Sequence, residues 1–388
     1  SIMVFVPKFY YRIGHASSPR YATYGANTID ITGIETFADE AAANAAGYAL
    51  HRAFKDGGAV KSGFFIDKYL ASKNGTTSCK SVQNGVPISL TTGTSYTNSN
   101  GMTGCTGILA DSVVLARARG AGVFNVASIF MYDALAKLSL AHAQAATGTA
   151  NCAWYDASGV TNFPKGCNTA LKDTNDATVT FTSAGDAGDA NKPKTGSASN
   201  LAKTTHNGQA CGVTDVNGAM WQAMLGLTMA GTSATDTTAI TTGNAYVLKS
   251  SVALASLTGG FGGTNDAWGT TSSLATNFDL INGFLPWTSA TGAVYFGNGS
   301  NQVFSGASSG TDYLRSCSGI GNLTGMSASG TNQFGNDYCY QYGRANLFPL
   351  ASGNWGNAAG AGVFSRVWYI YRPNDVYNVG FRAAAYGN

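Results

Sequence analysis

The sequence predicts a mixed α+β fold, on three observations. Ala-rich stretches with helical spacing recur in the N-terminal part. Short β-branched and aromatic runs recur along the whole chain. From Cys211 onward these runs alternate with Gly, Asn and Ser, the pattern of small strands joined by long loops.

Taken in order, Met3 to Tyr11 is apolar and rich in β-branched and aromatic residues, a strand, and Asp30 to Gly33 is a second. Glu35 to Lys55 places Phe37, Ala41, Ala45, Tyr48, Ala49, Arg52 and Ala53 near helical spacing, with Gly57-Gly58 to end it. Ser62 to Ala71 reads as a strand. Thr76 to Cys105 is rich in Ser, Thr, Asn and Gly and reads as a surface insertion. Asp111 to Arg119 and Ile129 to Gln144 read as helices. Thr147 to Gly208 is the least hydrophobic stretch and reads as a polar insertion within one domain spanning 1–388. Ala245 to Leu248, Val294 to Phe296, Gly362 to Phe364 and Val379 to Ala383 are the later strand candidates.

Composition limits the function classes. Charged residues are 11% of 388, the net charge is +3, and no Lys/Arg cluster exists, which argues against nucleic acid. No run approaches the ~20 apolar residues of a membrane-spanning helix. No basic-then-apolar leader opens the chain, so either a start was processed away or this is part of something longer. Few charges, many Gly, Ser, Thr and Asn, and 19 Tyr fit an extracellular or virion surface protein. Seven cysteines leave at least one unpaired or pairing between chains. Cys79/Cys105 and Cys152/Cys167 each flank a polar loop that a disulfide would staple, and buried thiols are the alternative.

Catalytic signatures are missing. His15, His51, His142 and His206 are scattered, without a second metal ligand at helical spacing. His51 and His142 fall on expected helices, where a solvated or capping role is favoured over metal binding. No cofactor is expected, and no EF-hand-like spacing places a calcium ion.

Three segments resemble one family. They are GFFIDKY (Gly63 to Tyr69), CGVTDVNGAMWQ (Cys211 to Gln222) and NVGFRAA (Asn378 to Ala384), the last preceded by GNW (Gly353 to Trp355). In that order they resemble the formylglycine-generating-enzyme branch of the C-type lectin fold. Asp215, Gly218 and Trp221 match its middle motif, whereas Ala219 and Gln222 stand where Asn and Glu are usual. The resemblance implies a C-type-lectin-like fold with long loops. It does not carry over the oxidase chemistry, because Asn354 to Arg382 contains no cysteine.

Arg344 to Ala384 is similar to the variable proteins of diversity-generating retroelements. That resemblance implies a ligand-binding region at 336–388, whose adenine-rich codons, often AAC, are rewritten. Such codons reach Gly, Ser, Val, Tyr, Ile, Asp and Pro but not Trp. The candidate positions are Gly356, Gly360, Ser365, Val367, Tyr369, Ile370, Tyr371, Pro373, Asp375, Val376 and Tyr377. Trp368 lies inside the run and is carried with the face, although such a codon does not reach it, so it is either framework or a departure from the pattern. Val367 to Tyr371 is too aromatic for a solvated loop and shows no clean strand alternation. Positions tolerating residues from Gly to Tyr are expected to be exposed on one surface, with Trp355, Phe364 and Phe381 buried beneath them.

The expected function is therefore non-catalytic binding of a host cell-surface receptor, protein or glycan, at a phage tail-fibre tip. A homo-oligomer is expected, a trimer being favoured, with no membrane insertion. A bacterial surface adhesin, a structural virion decoration protein and a divergent formylglycine-type oxidase are the alternatives.

Overall fold

The computed structural model describes residues 1–145, 164–229, 241–258, 271–287, 292–327 and 334–387. Its first and last strands share a sheet. Met3–Pro7 pairs with Gly63–Asp67, which pairs with Ala383–Tyr386, which pairs with Asn125–Val126, all antiparallel. The expected strand from Met3 to Tyr11 breaks at Lys8. Its second half, Phe9–Ile13, forms a separate sheet between Ile29–Gly33 and Ala49–Leu50.

A seven-stranded mixed sheet organises the later chain. Its order is Met326–Ser327, Gly292–Phe296, Tyr338–Gln341, Arg366–Val367, Leu350–Ala351, Trp221–Ala223, Val379–Gly380. The helix Ile129–Ala145 supplies Ile129, Phe130, Met131 and Leu135 to the interior. One continuous apolar cluster runs from Val6 to Ala384, so the fold is α+β around a shared core.

The three resembling motifs meet at Arg382, which is fully buried. Its Nε donates to Gln222 Oε1 at 2.7 Å and its Nη1 to the carbonyls of Asp67 and Lys68 at 3.0 and 2.8 Å. Its Nη2 donates to the Thr214 carbonyl. One guanidinium fork thus ties GFFIDKY, CGVTDVNGAMWQ and NVGFRAA together.

Several expectations are corrected. The helix expected over Glu35 to Lys55 is only Glu40–Ala45. Gly47, at φ +80°, ends it. Ala49–Leu50 then pairs with Tyr10 and Tyr11, and the Tyr48 hydroxyl donates to Asp30 Oδ2 at 2.7 Å. Cross-strand partners override the Ala-rich propensity there. Thr76 to Cys105 is not a surface insertion, because Cys79, Ile88, Leu90 and Met102 enter the core. Gly362 to Phe364 is a turn, and the strand follows it at Arg366–Val367. Cys79 and Cys105 are both free thiols, as is Cys167.

Of the stretch Thr147 to Gly208, residues 147–163, Cys152 among them, lie outside the described residues. The remainder carries its own small cluster. Cys167, Val179, Phe181 and Ala198 pack with Leu70, Met220 and Trp355.

Candidate functional site

From Trp368 to Arg372 the segment alternates, whereas Arg366 and Val367 before it are both buried. Arg366, Trp368 and Arg372 are completely buried and Ile370 is nearly so, whereas Tyr369 and Tyr371 are half-buried. Trp368 Nε1 donates to Cys339 Sγ at 3.1 Å, and its ring lies 6.1 Å from that of Trp287. Arg372 Nη1 donates to Thr228 Oγ1 at 2.7 Å and its Nη2 to Asn346 Oδ1 at 3.0 Å. These inward side chains anchor the run, and the period of two turns the tyrosines the other way.

Four candidate positions are therefore corrected: Ser365, Val367, Trp368 and Ile370 are buried. The Ser365 hydroxyl donates to the Gly360 carbonyl at 2.6 Å and closes a loop. Val367 sits between Tyr340 and Leu350 of the flanking strands. Trp368 and Ile370 take inward positions. None of the four can vary freely without disturbing the core.

The neighbouring strand Tyr338–Gln341 repeats the same period. Tyr338, Tyr340 and Tyr342 are half-buried, while Cys339 and Gln341 are buried. Tyr295 pairs directly with Tyr338 from the other side. Tyr340 and Tyr342 stack at 6.3 Å and 21°, and Tyr369 lies 5.5 Å from Tyr340 and 5.3 Å from Tyr342. The Arg344 guanidinium sits 5.3 Å from the Tyr369 ring centre and 4.5 Å from that of Tyr371. Tyr295, Tyr338, Tyr340, Tyr342 and Arg344 were missed in the sequence. YCYQY carries the signal, an unbroken tyrosine alternation.

The remaining candidates lie along a second cluster. Asp375 and Tyr377 are exposed, and Pro373 and Val376 are half-buried. The Thr92 backbone N–H donates to Asp375 Oδ1 at 3.1 Å, and Val376 pairs with Leu90. Burial raises the Asp375 carboxyl, but donors from Thr91 and Thr92 outweigh it and hold the pKa below its ordinary value. Tyr377 stacks on Tyr96 at 4.9 Å and 24°, with Trp355 at 6.3 Å.

The loop from Asn354 to Gly360 connects the two clusters. Trp355, at its start, is buried beside Tyr377. Asn357 Nδ2 donates to the Tyr338 hydroxyl at 3.2 Å. Gly356 is exposed, and Gly360 packs so closely on Tyr338 that a Cβ there would come within 2.9 Å of the ring. Any side chain at Gly360 would thus force Tyr338 to shift. Phe364 and Phe381 are buried beneath, at 1% and 0% exposure.

A second, interior constellation was not legible in the sequence. His51 Nδ1 accepts the Ala53 backbone N–H at 3.1 Å. A neutral ring then carries its proton on Nε2, which donates to Asp133 Oδ2 at 2.8 Å. Lys137 contacts the same oxygen, and the Tyr11 hydroxyl lies 3.2 Å from Cys317 Sγ. Burial raises the Cys317 thiol, but His51 and Lys137 outweigh it and lower its pKa. Cysteine, histidine and aspartate are all completely buried, so the constellation reads as an internal ionic lock between three elements. His51 is therefore neither helical nor solvated, although it does cap a 3-10 turn.

Among the described residues, no three His, Cys, Asp or Glu side chains group as a metal site. No described helix is long and apolar enough to cross a membrane. No known protein-family profile matches the chain, and no curated protein matches it.

Proposed function

We propose that this chain is a non-catalytic receptor-binding protein with a C-type-lectin-like fold of the formylglycine-generating-enzyme type. It acts at a phage tail-fibre tip and is similar to the variable proteins of diversity-generating retroelements. The observation that carries the reading is the alternation from Trp368 to Arg372. Fixed inward side chains stand beside outward tyrosines, so the outward set can change while the core stays whole. Tyrosine gives large, stiff contact area at low entropy cost. Gly356, Tyr369, Tyr371, Pro373, Asp375, Val376 and Tyr377 form the changeable set, with Tyr340, Tyr342 and Arg344 beside them.

Sequencing the surrounding DNA tests this reading. A reverse-transcriptase gene should lie nearby, with a near-repeat of the last part of this gene. The two copies should differ at adenines in the codons for 369, 371, 375 and 377, and agree at those for 366, 368, 370 and 372. No repeat, or differences concentrated at the inward codons, would remove the reading.

A further inference from the structure

Met3–Pro7 lies at the edge of its four-stranded sheet, with Gly63–Asp67 on one side and no strand on the other. In an antiparallel ladder, hydrogen-bonded pairs alternate with non-bonded ones. The Lys68 N–H donates to the Ile2 carbonyl at 3.0 Å, and the Lys8 N–H donates to the Ser62 carbonyl at 2.9 Å. The bonded pairs are therefore those of the even-numbered residues, and Met3, Phe5 and Pro7 turn their backbone groups to the open edge. The N–H groups of Met3 and Phe5 and the carbonyls of Met3, Phe5 and Pro7 stand there, and no described residue meets them. Such a row is a template for a further strand unless something covers it.

The outer face beside this edge is apolar and uncovered. Phe5 and Phe65 are 41% and 39% exposed, with their ring centres 4.9 Å apart. Gly63 makes room for the Phe5 ring, because a Cβ there would come within 2.6 Å of it. Ile2 and Pro7 are exposed as well, and Met3 and Phe65 line a cleft of about 520 Å³ with Val123 and Phe124. Exposed apolar surface of this kind marks an interaction site.

The two ends of the edge are basic. Lys8 follows the strand, and Lys80 precedes Ser81, whose carbonyl takes the Ile2 N–H at 2.9 Å. Neither lysine has a side-chain hydrogen bond or ion pair among the described residues. The acids flanking the paired segment are buried and committed. Asp56 takes the Leu254 N–H at 2.7 Å, and Asp67 pairs with Arg119 at 2.6 Å. A second copy of this chain fits such an edge poorly. About a two-fold axis at Phe5, Met3 would meet Pro7, which has no N–H to return. Lys8 of one copy would then approach Lys80 of the other, and like charges repel. We propose that the open edge of Met3–Pro7 docks an extended acidic segment of a protein partner. The segment adds as a strand, with an apolar side chain opposite Phe5 and a carboxylate at each end.

The probe is a fluorescein-labelled heptapeptide in which valine alternates with threonine between two terminal glutamates. Fluorescence anisotropy with the full chain should show saturable binding. Residue-resolved amide exchange should slow at least tenfold at Met3 and Phe5 when the peptide is added. The M3P variant removes an outward N–H and no bond to Gly63–Asp67, a change that edge strands tolerate. It should lose about fivefold in affinity or more. K8E/K80E should reverse the charge preference and favour the same peptide with lysine ends. No binding at millimolar peptide, or equal binding of the two peptides to the wild type, would overturn the proposal. So would unchanged affinity in a folded M3P, or Met3 and Phe5 amides already protected in the chain alone. A mass that doubles with concentration in the wild type and not in M3P would give the edge to a second copy instead. If M3P fails to fold, the K8E/K80E reversal decides, and its absence counts against the acidic segment.

Discussion

Trp355 Nε1 donates a 2.7 Å hydrogen bond to Asp189 Oδ2, joining the loop from Asn354 to Gly360 to a segment 166 residues earlier. The same indole lies beside Tyr377, and Tyr377 stacks on Tyr96, whose hydroxyl donates to the Gly188 carbonyl at 3.3 Å. The polar stretch is thereby a buttress of the candidate face. Asp189→Ala should cost about 1–2 kcal/mol by leaving a buried indole N–H unmet. Amide exchange around Gly188 and Tyr377 should speed up with it. Unchanged exchange at both places would show the bond to be incidental.

The alternation from Trp368 to Arg372 separates stability from binding. Trp368→Ala should destabilise by about 3–5 kcal/mol, because it opens a cavity beside Trp287 and strips Cys339 of its donor. Tyr369→Ala with Tyr371→Ala should together cost no more than about 2 kcal/mol while abolishing receptor binding. Urea denaturation compares the two variants. Equal losses would place the tyrosines in the core.

Gly362 is fixed by a carboxylate. A Cβ there would sit 1.7 Å from Asp337 Oδ1, and Asp337 cannot retreat. Its Oδ1 takes the Lys165 ammonium at 2.5 Å, and its Oδ2 takes the Phe364 N–H at 2.8 Å. Gly362→Ala should break this buried pair at a cost of about 3–5 kcal/mol. Wild-type stability in that variant would mean the turn shifts freely.

His206 gives a pH signature. Burial, then His142 and Arg382, push its pKa down to about 3. The unfolded chain takes up this proton below about pH 6.5 and the folded chain does not. Stability is therefore full above that value and falls on acidification, by about 1.4 kcal/mol per unit, until the folded pKa is reached. His206→Asn keeps an acceptor for the Val213 N–H, which now meets Nδ1 at 3.0 Å. Urea titrations between pH 7 and 4 should show a shallower slope in the variant, the remainder including His142, which burial also lowers. An unchanged slope would mean His206 titrates normally.

Fibre-tip binding calls for avidity, and a closed cyclic trimer is the expected assembly. Light scattering should report three times the 39.9 kDa chain. A monomer at high concentration would count against the fibre-tip setting.

Sequence patterning was sufficient wherever a segment acts through its own period. The helices Asp111–Arg117 and Ile129–Ala145 and the strand Ala245–Leu248 fall where their patterns place them. Arg382 holds the carbonyls of Asp67, Lys68 and Thr214, because only arginine supplies that many fixed donors. The helix over Glu35 to Lys55 failed because Tyr10 and Tyr11 offer Ala49–Leu50 a sheet. The run Val367 to Tyr371 misled because Trp, Ile, Val and Tyr are all apolar enough to hide which face is inside. Burial separates Trp368 from Tyr369, and composition does not.

The sequence by itself determined the mixed α+β class, the low surface charge, and the aromatic weight of the last fifty residues. These are properties of residue type and local spacing, and no distant partner can change them. Only the tertiary structure decided which side of each strand faces water. It alone brought Tyr338, Tyr340 and Tyr342 beside Tyr369, stacked Tyr96 on Tyr377, and assembled His51, Asp133 and Cys317 out of reach of solvent. Those contacts join residues tens to hundreds of positions apart. They depend on sheet order and register, which no single segment's pattern encodes.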